Sequence, residues 1–161
     1  MTTVYVGLGA NVGDKKANIN QAVSMLAAMK STRLLRVAPF YHSAPLGYLK
    51  QDWFINTVAE IETALSPPEL LDLLLAVEDE IGRVRRERWG PRVIDLDLLL
   101  YGDIVMDTLK LTLPHPRMHE RAFVMAPLAD LAPRLNLPGH GQADDLAGKL
   151  KKEQAIEKIK A

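Results

Sequence analysis

The order in which apolar residues recur along the chain predicts an α+β fold, an antiparallel sheet with helices packed over it in three αβα layers. Three observations carry that prediction. Strand-like runs occur near 3–9, 34–43, 53–63 and 93–101, helical spacing of apolar residues occupies 15–29 and 66–82, and turn-forming Gly, Pro and Asn fall between them. A length of 161 residues suits one domain, 1–161, with a single core. Twenty basic residues against 20 acidic ones leave no long-range positive field, so a nucleic-acid partner is not expected. The absence of Cys excludes disulfides and thiolate metal sites. The amino terminus has no basic segment leading into an apolar run, and no stretch of about 18 apolar residues occurs anywhere, so the expectation is a cytoplasmic protein with no membrane partner. No exposed heptad pattern suggests a partner helix, and a monomer is expected.

Residues 3–9 alternate, carry β-branched and aromatic side chains, and run into Gly9-Ala10-Asn11-Val12-Gly13-Asp14, a strand entering a loop. Asp14 can cap the next helix, in which Ile19, Ala22, Val23, Leu26 and Ala27 form one apolar stripe. Residues 34–43 read as a second strand and 53–63 as a third, joined by a loop that holds Pro45 and Gly47. Ser66-Pro67-Pro68-Glu69 is a capping box with proline at the first helical position, and Leu70, Leu74, Val77 and Ile81 continue that helix to Gly82. The fourth strand is 93–101, followed by a turn at Gly102-Asp103 and an edge hairpin from 104–106 and 109–113. Residues 120–131 form another helix that Pro127 should end or bend, and about 140–161 a C-terminal surface helix or tail with a frayed end. The order β-α-β-β-α-β followed by extra elements is the ferredoxin-like arrangement, with helices on one face and the later helical material over part of the other.

Residues 82–97 concentrate the chemistry, with five arginines (Arg83, Arg85, Arg86, Arg88, Arg92), Trp89, and the alternating Asp95 and Asp97. In a strand, residues i and i+2 share a face about 6.6 Å apart, so the two aspartates point one way while Ile94, Leu96, Leu98 and Leu100 point into a core. Asp is depleted in strands, and two on one face repel unless paired or metal-bound. Mg²⁺ suits such a pair, because it takes few protein oxygens and completes its shell from water and phosphate; two ions about 3.5–4 Å apart could be bridged by it. Arginine grips phosphate through two parallel hydrogen bonds, so the loop offers cations for a polyphosphate beside anions for its metal. Taken alone the same loop is a solvated run or an RNA patch, and the adjoining carboxylates argue against the latter. Trp89 either shapes the loop or anchors a core. Gly7, Gly9 and Gly13 have the wrong spacing for a dinucleotide fingerprint and are read as a tight turn before the helix. Phe54 and Asn56 share a face, and with Phe123 they are either core residues or the clamp of a flat heterocycle, stacked above and below and read at its edge. His115, near Lys110, Thr112, Arg117 and Arg121, is structural or a further phosphate-side donor. No His-x-x-x-His pairing suggests zinc.

Together these residues closely resemble the 6-hydroxymethyl-7,8-dihydropterin pyrophosphokinase family of the folate pathway. The resemblance runs over 4–137 and rests on Gly9-Ala10-Asn11, Phe40-Tyr41, Pro45-Leu46-Gly47, Phe54-Ile55-Asn56, Gly82-Arg83-Val84-Arg85, Arg88-Trp89-Gly90-Pro91-Arg92, Asp95-Leu96-Asp97, Leu113-Pro114-His115 and Arg121-Ala122-Phe123. It implies an ATP-dependent diphosphotransferase that moves pyrophosphate from ATP to the hydroxymethyl group of the reduced pterin and releases AMP, with two Mg²⁺ ions. It also implies roles for residues. Asp95 and Asp97 hold the metal and, with Arg83 and Arg92 on a closing loop, form the catalytic set. Phe54 and Phe123 sandwich the pterin, Asn56 and Asp95 bond its edge, and Ser43, Pro45 and Leu46 contact it. Glu78, Arg85, Arg88, Trp89, Arg92, Leu98, Lys110, Thr112, His115 and Arg121 face the nucleotide or its phosphates. The chain departs from the family pattern at three places: Ala10 replaces a usual serine, Leu75 a polar nucleotide contact of some members, and Pro116 an aromatic that can touch ATP.

Overall fold

The central strand, β1 (Thr2–Ala10), carries apolar side chains on one face and pairs antiparallel on both sides, with β4 (Phe54–Thr63) and β5 (Asp95–Tyr101). A computed structural model describes residues 1–45, 52–85 and 93–160, with 83–85 described by their backbone alone. Two further strands, β2 (Thr32–Val37) and β3 (Tyr41–Ser43), lie end to end along the other edge of β4. The expected single strand over 34–43 is thus broken. Pro39 sits at the break, where its missing N–H cannot join a ladder, and Ala38 crosses over with its N–H on the Val58 carbonyl at 3.0 Å.

Two helices cover one face. Asp14 caps α1 (Lys15–Ala27) by accepting the Ala17 N–H at 3.1 Å. The Ser66–Glu69 box opens α2 (Pro67–Arg85), with reciprocal bonds of 3.0 and 3.3 Å. That helix runs past Gly82 instead of ending there. Beneath it Val4, Val6 and Leu8 pack against Ile19, Leu26, Leu70, Leu74 and Ile81, all buried. The opposite face holds α3 (Ala122–Leu131) and α4 (Ala143–Glu153), which bury Met125, Leu128 and Leu150 against Val58, Leu99 and Leu100. The layers are therefore αβα as expected. Pro127 lies inside α3 without ending it, flanked by the buried Ala126 and Leu128.

Three further expectations need correcting. Leu100 points not with Leu96 and Leu98 but to the α3 side, because a bulge in the β1–β5 pairing places Leu98 opposite Val6 and Leu100 opposite Tyr5, which leaves Leu99 as the extra residue. The edge hairpin shrinks to β6 (Met106–Asp107) and β7 (Thr112–Leu113), a separate two-stranded pair. The C-terminal helix does not fray: α4 stops at Glu153 and β10 (Ile156–Lys158) joins the sheet beside β3, leaving β8 (Asn136–Leu137) and β9 (Gly141–Gln142) as a small hairpin before α4. Ile156 and Ile159 anchor this tail, one on each core. No helix among the described residues is long and apolar enough to cross a membrane.

Across β2, β4 and β1, Arg36, Glu60 and Tyr5 stand in one row on the α3 side. The buried Glu60 carboxylate accepts the Tyr5 hydroxyl at 2.5 Å and Arg36 Nε and Nη2 at 2.9 and 3.2 Å, and Arg36 Nη2 also reaches the Leu131 carbonyl at 2.8 Å. Hydrogen bonds from Arg36 hold the Glu60 carboxyl below its usual range, whereas burial, followed by the bond to Glu60, pushes the Tyr5 phenol up. The depressed carboxyl stabilises the fold above the ordinary carboxylate range and ceases to do so as pH falls below about 4, while the raised phenol contributes at all pH below about 10 and is lost only in stronger alkali. Glu60→Leu leaves the buried phenol without an acceptor but leaves water around the half-exposed guanidinium, so urea unfolding at neutral pH should show a loss of about 2 kcal/mol. The variant should also lose stability less steeply in acid. A loss below about 0.5 kcal/mol would mean the row contributes nothing.

Candidate active site

Antiparallel register places Asn56, Gly9 and Asp95 opposite one another across β4, β1 and β5, and Gly7 opposite Asp97 in the next row on that face. With glycine in the middle strand, nothing rises between the amide on one side and the carboxylates on the other. The result is a cavity of about 240 Å³ between the sheet and the start of α3, floored by Gly7 and Gly9 and lined by Ser43, Phe54, Asn56, Asp95, Asp97, Arg121 and Phe123, among others. Gly9 has no room for a side chain, since a Cβ there would stand 2.7 Å from Asn56 Nδ2. The Asn56 amide is itself fixed. It is buried, and its Oδ1 accepts the Ser43 hydroxyl at 2.5 Å, which leaves the Nδ2 donors over Gly9.

The two aspartates line this cavity together, and neither is fully buried. Among the described residues no group of three or more His, Cys, Asp or Glu could hold a metal. A donor set of two carboxylates fits Mg²⁺, which retains water and accepts phosphate oxygens, and does not fit a closed zinc site. Arg121 brings a guanidinium whose carbon lies 5.5 Å from the centre of the Phe123 ring. His115 is tied to β5 by its backbone N–H on the Leu99 carbonyl at 2.9 Å. Its Nδ1 accepts the Arg117 N–H at 3.3 Å, so the neutral ring carries its proton on Nε2. Burial, reinforced by Arg121 and opposed by Asp97, pushes the His115 pKa down and favours that neutral form. From α2, Glu78 Oε2 accepts the Leu96 N–H at 2.7 Å, which pins the helix to the strand that bears both aspartates.

Of the residues singled out in the sequence, Ser43, Pro45, Phe54, Asn56, Asp95, Asp97, Arg121 and Phe123 come together around the cavity. Others do not. The Leu98 side chain is buried in the α1/α2 core, on the opposite face from the aspartates, because strand alternation sends it there. Lys110 is paired with Asp72 of α2 at 2.7 Å, and the Thr112 hydroxyl lies 3.2 Å from an Asp107 carboxylate oxygen; neither lines the cavity. Leu46, Arg88, Trp89 and Arg92 lie outside the described residues, and Arg83 and Arg85 are described only as backbone in the last turn of α2. Ala10 is core, whereas Leu75 and Pro116 are exposed. The turn assigned to Gly7 and Gly9 is corrected: both sit inside β1, and only Gly13 has the positive φ of a turn, at 67°. Their i, i+2 spacing, the same as that of Asp95 and Asp97, was the available signal.

Residues 5–133 match the family model for 7,8-dihydro-6-hydroxymethylpterin-pyrophosphokinase. A 2-amino-4-hydroxy-6-hydroxymethyldihydropteridine pyrophosphokinase of Pseudomonas aeruginosa is 50% identical over 135 residues, 84% of this chain and 83% of its own. Its counterpart in Methylorubrum extorquens is 45% identical over 147 residues, 91% of this chain and 93% of its own. Among solved structures, wild-type HPPK-DHPS of Plasmodium falciparum superposes with a TM-score of 0.76 over 99% of this chain at 12% identity, a likeness of fold. This chain spans 44% of that longer one. The chain therefore belongs to the 7,8-dihydro-6-hydroxymethylpterin-pyrophosphokinase family and is an enzyme, a diphosphokinase.

Proposed function

We propose that the cavity takes 6-hydroxymethyl-7,8-dihydropterin and that the enzyme moves pyrophosphate from MgATP to its hydroxymethyl group, releasing AMP, as a step of folate biosynthesis. The observation that carries this reading is the row Asn56–Gly9–Asp95 in a cavity flanked by Phe54 and Phe123. A pterin is a flat bicycle with alternating donors and acceptors along one edge. Two phenyl rings offer it stacking surfaces, while Asn56 Nδ2 donates to that edge and the Asp95 carboxylate accepts from it. The glycine floor lets the ring lie close to the backbone.

For the transfer itself, Asp95 and Asp97 would hold Mg²⁺, which supplies neutralisation of the polyphosphate charge when bound. Arg121 and the Nε2–H of His115 are donors for phosphate oxygens on the same side of the sheet. Arg83, Arg85, Arg88, Trp89 and Arg92, at and beyond the end of α2, form the nucleotide clamp in this reading, with Glu78 bracing α2 against β5. The pterin hydroxyl attacks the β-phosphorus in line and AMP leaves. Alignment and charge neutralisation supply most of the acceleration, and a loose phosphoryl transition state needs no strong base.

Given MgATP and 6-hydroxymethyl-7,8-dihydropterin, the enzyme should release AMP, identified by chromatography of the nucleotide product. Release of ADP would replace this reading with a simple kinase. Asp97→Ala should cost at least about 3 kcal/mol of transition-state stabilisation, roughly a hundredfold in kcat/KM, and near-normal turnover would remove Asp97 from the mechanism. Gly9→Ala should leave the fold intact but swing the Asn56 amide out of position, raising KM for the pterin about tenfold while leaving KM for ATP within about twofold. An unchanged pterin KM would show that the edge is read elsewhere.

A further inference from the structure

The family match ends at residue 133, yet the chain continues through α4 to β10, which pairs with β3, the strand of the cavity residue Ser43. After α4 the backbone becomes extended at Gln154, with φ −125° and ψ 140°. The side-chain amide of Gln154 there engages the peptide groups on both sides of Arg121: Oε1 accepts the Ala122 N–H at 2.9 Å, and Nε2 donates to the Glu120 carbonyl at 2.7 Å. Arg121 precedes α3 and makes no side-chain cap bond of its own. Gln154 thus satisfies a donor at the first turn of α3 that the local sequence leaves open.

The two cavity residues at this point are Arg121, held between the two anchored peptides, and Phe123, in the first turn that Gln154 caps. The next residue of the tail serves the other wall. The Ala155 carbonyl accepts the Ala44 N–H at 3.1 Å, and Ile156 pairs with Ser43, whose hydroxyl orients Asn56. One short segment therefore braces the stacking wall and the edge-reading wall together.

We propose that Gln154 is a positioning residue for the pterin site, one that sets the Phe123 ring and the Arg121 guanidinium against the sheet through their backbone. It touches no substrate itself. This inference rests on the reading of the cavity as the pterin slot. A merely structural cap would lower the melting temperature and leave the pterin KM of the folded enzyme alone, and this difference separates the two roles.

The test is steady-state kinetics at saturating MgATP with the pterin varied, together with thermal melts, on the full chain and three variants. Gln154→Ala should raise the pterin KM roughly threefold to tenfold, the range expected for losing one or two net hydrogen bonds. Gln154→Glu should also raise it, because a carboxylate can still accept from Ala122 but meets the Glu120 carbonyl with no proton to donate. Leu150→Ala, which removes buried α4 packing without touching the bridge, should lower the melting temperature and keep the pterin KM within about twofold of wild type. An unchanged KM in Gln154→Ala, or an equal rise in Leu150→Ala, overturns the inference while leaving the pterin reading in place. A wild-type enzyme without pterin-dependent turnover overturns the pterin reading, and this inference with it.

Discussion

The register of β1 against β4 and against the first half of β5 is the constraint on which the site depends. Because side chains alternate along a strand, slipping β5 by one residue would turn Asp95 and Asp97 into the α1/α2 core and bring Leu96 and Leu98 out. Burying two carboxylates in an apolar core costs far more than any local gain, so the apolar face holds the polar face in register. The bulge at Leu99 then separates the two halves of β5. Before it, alternation sends the aspartates to the cavity. After it, Leu100 joins the α3 side and Tyr101 returns to the α1/α2 side, where its hydroxyl donates to the Leu65 carbonyl.

The second face of the sheet is divided between a core and a cavity, and α3 spans both. Its C-terminal end is held by polar contacts: Arg36 on the Leu131 carbonyl, and Asp130 receiving the Tyr41 hydroxyl and the Lys158 ammonium. Its N-terminal end is held by Gln154. A helix fixed at both ends presents Phe123 from a rigid support, which is what stacking against a flat ligand requires. Arg36 also balances Glu60, so the polar row beside the cavity adds no net charge to that of the aspartates.

Much of this was legible locally. Asp14 and the Ser66–Glu69 box are caps whose partners lie three residues away, and Asp95 with Asp97 needs only the two-residue strand period. What was not legible depends on distant partners. The Lys, Asp, Glu and Ala of 144–161 read as a surface helix with a frayed end, whereas Ile156 and Ile159 acquire meaning only once β3 offers an edge and the two cores offer a surface. Leu100 was misplaced because a bulge belongs to a pair of strands. Gly7 and Gly9 carry the same local signature in a strand as in a turn, and the choice is made by the rows they complete. Gln154 has no sequence signal at all, since its partners lie more than thirty residues earlier.

The distribution of unfavourable residues locates the site independently of any relative. Glycine in a strand interior costs roughly 0.5–1 kcal/mol against alanine, and Asp and Asn are both depleted in strands. Here Gly7, Gly9, Asn56, Asp95 and Asp97 occupy two adjacent rows at one end of one face, while the opposite face of the same strands buries Val6, Leu8, Ile55, Ala59, Leu96 and Leu98 in the α1/α2 core. A sheet selected only for stability would scatter or remove such residues, and one that concentrates them gives up stability where its neighbours on both faces hold it fixed. On the proposed reading the cations accompanying a polyphosphate sit against both carboxylates, which line the same cavity. The backbone at Gly9 then keeps the pterin edge within reach of both Asn56 and Asp95, in the row that the strand register sets.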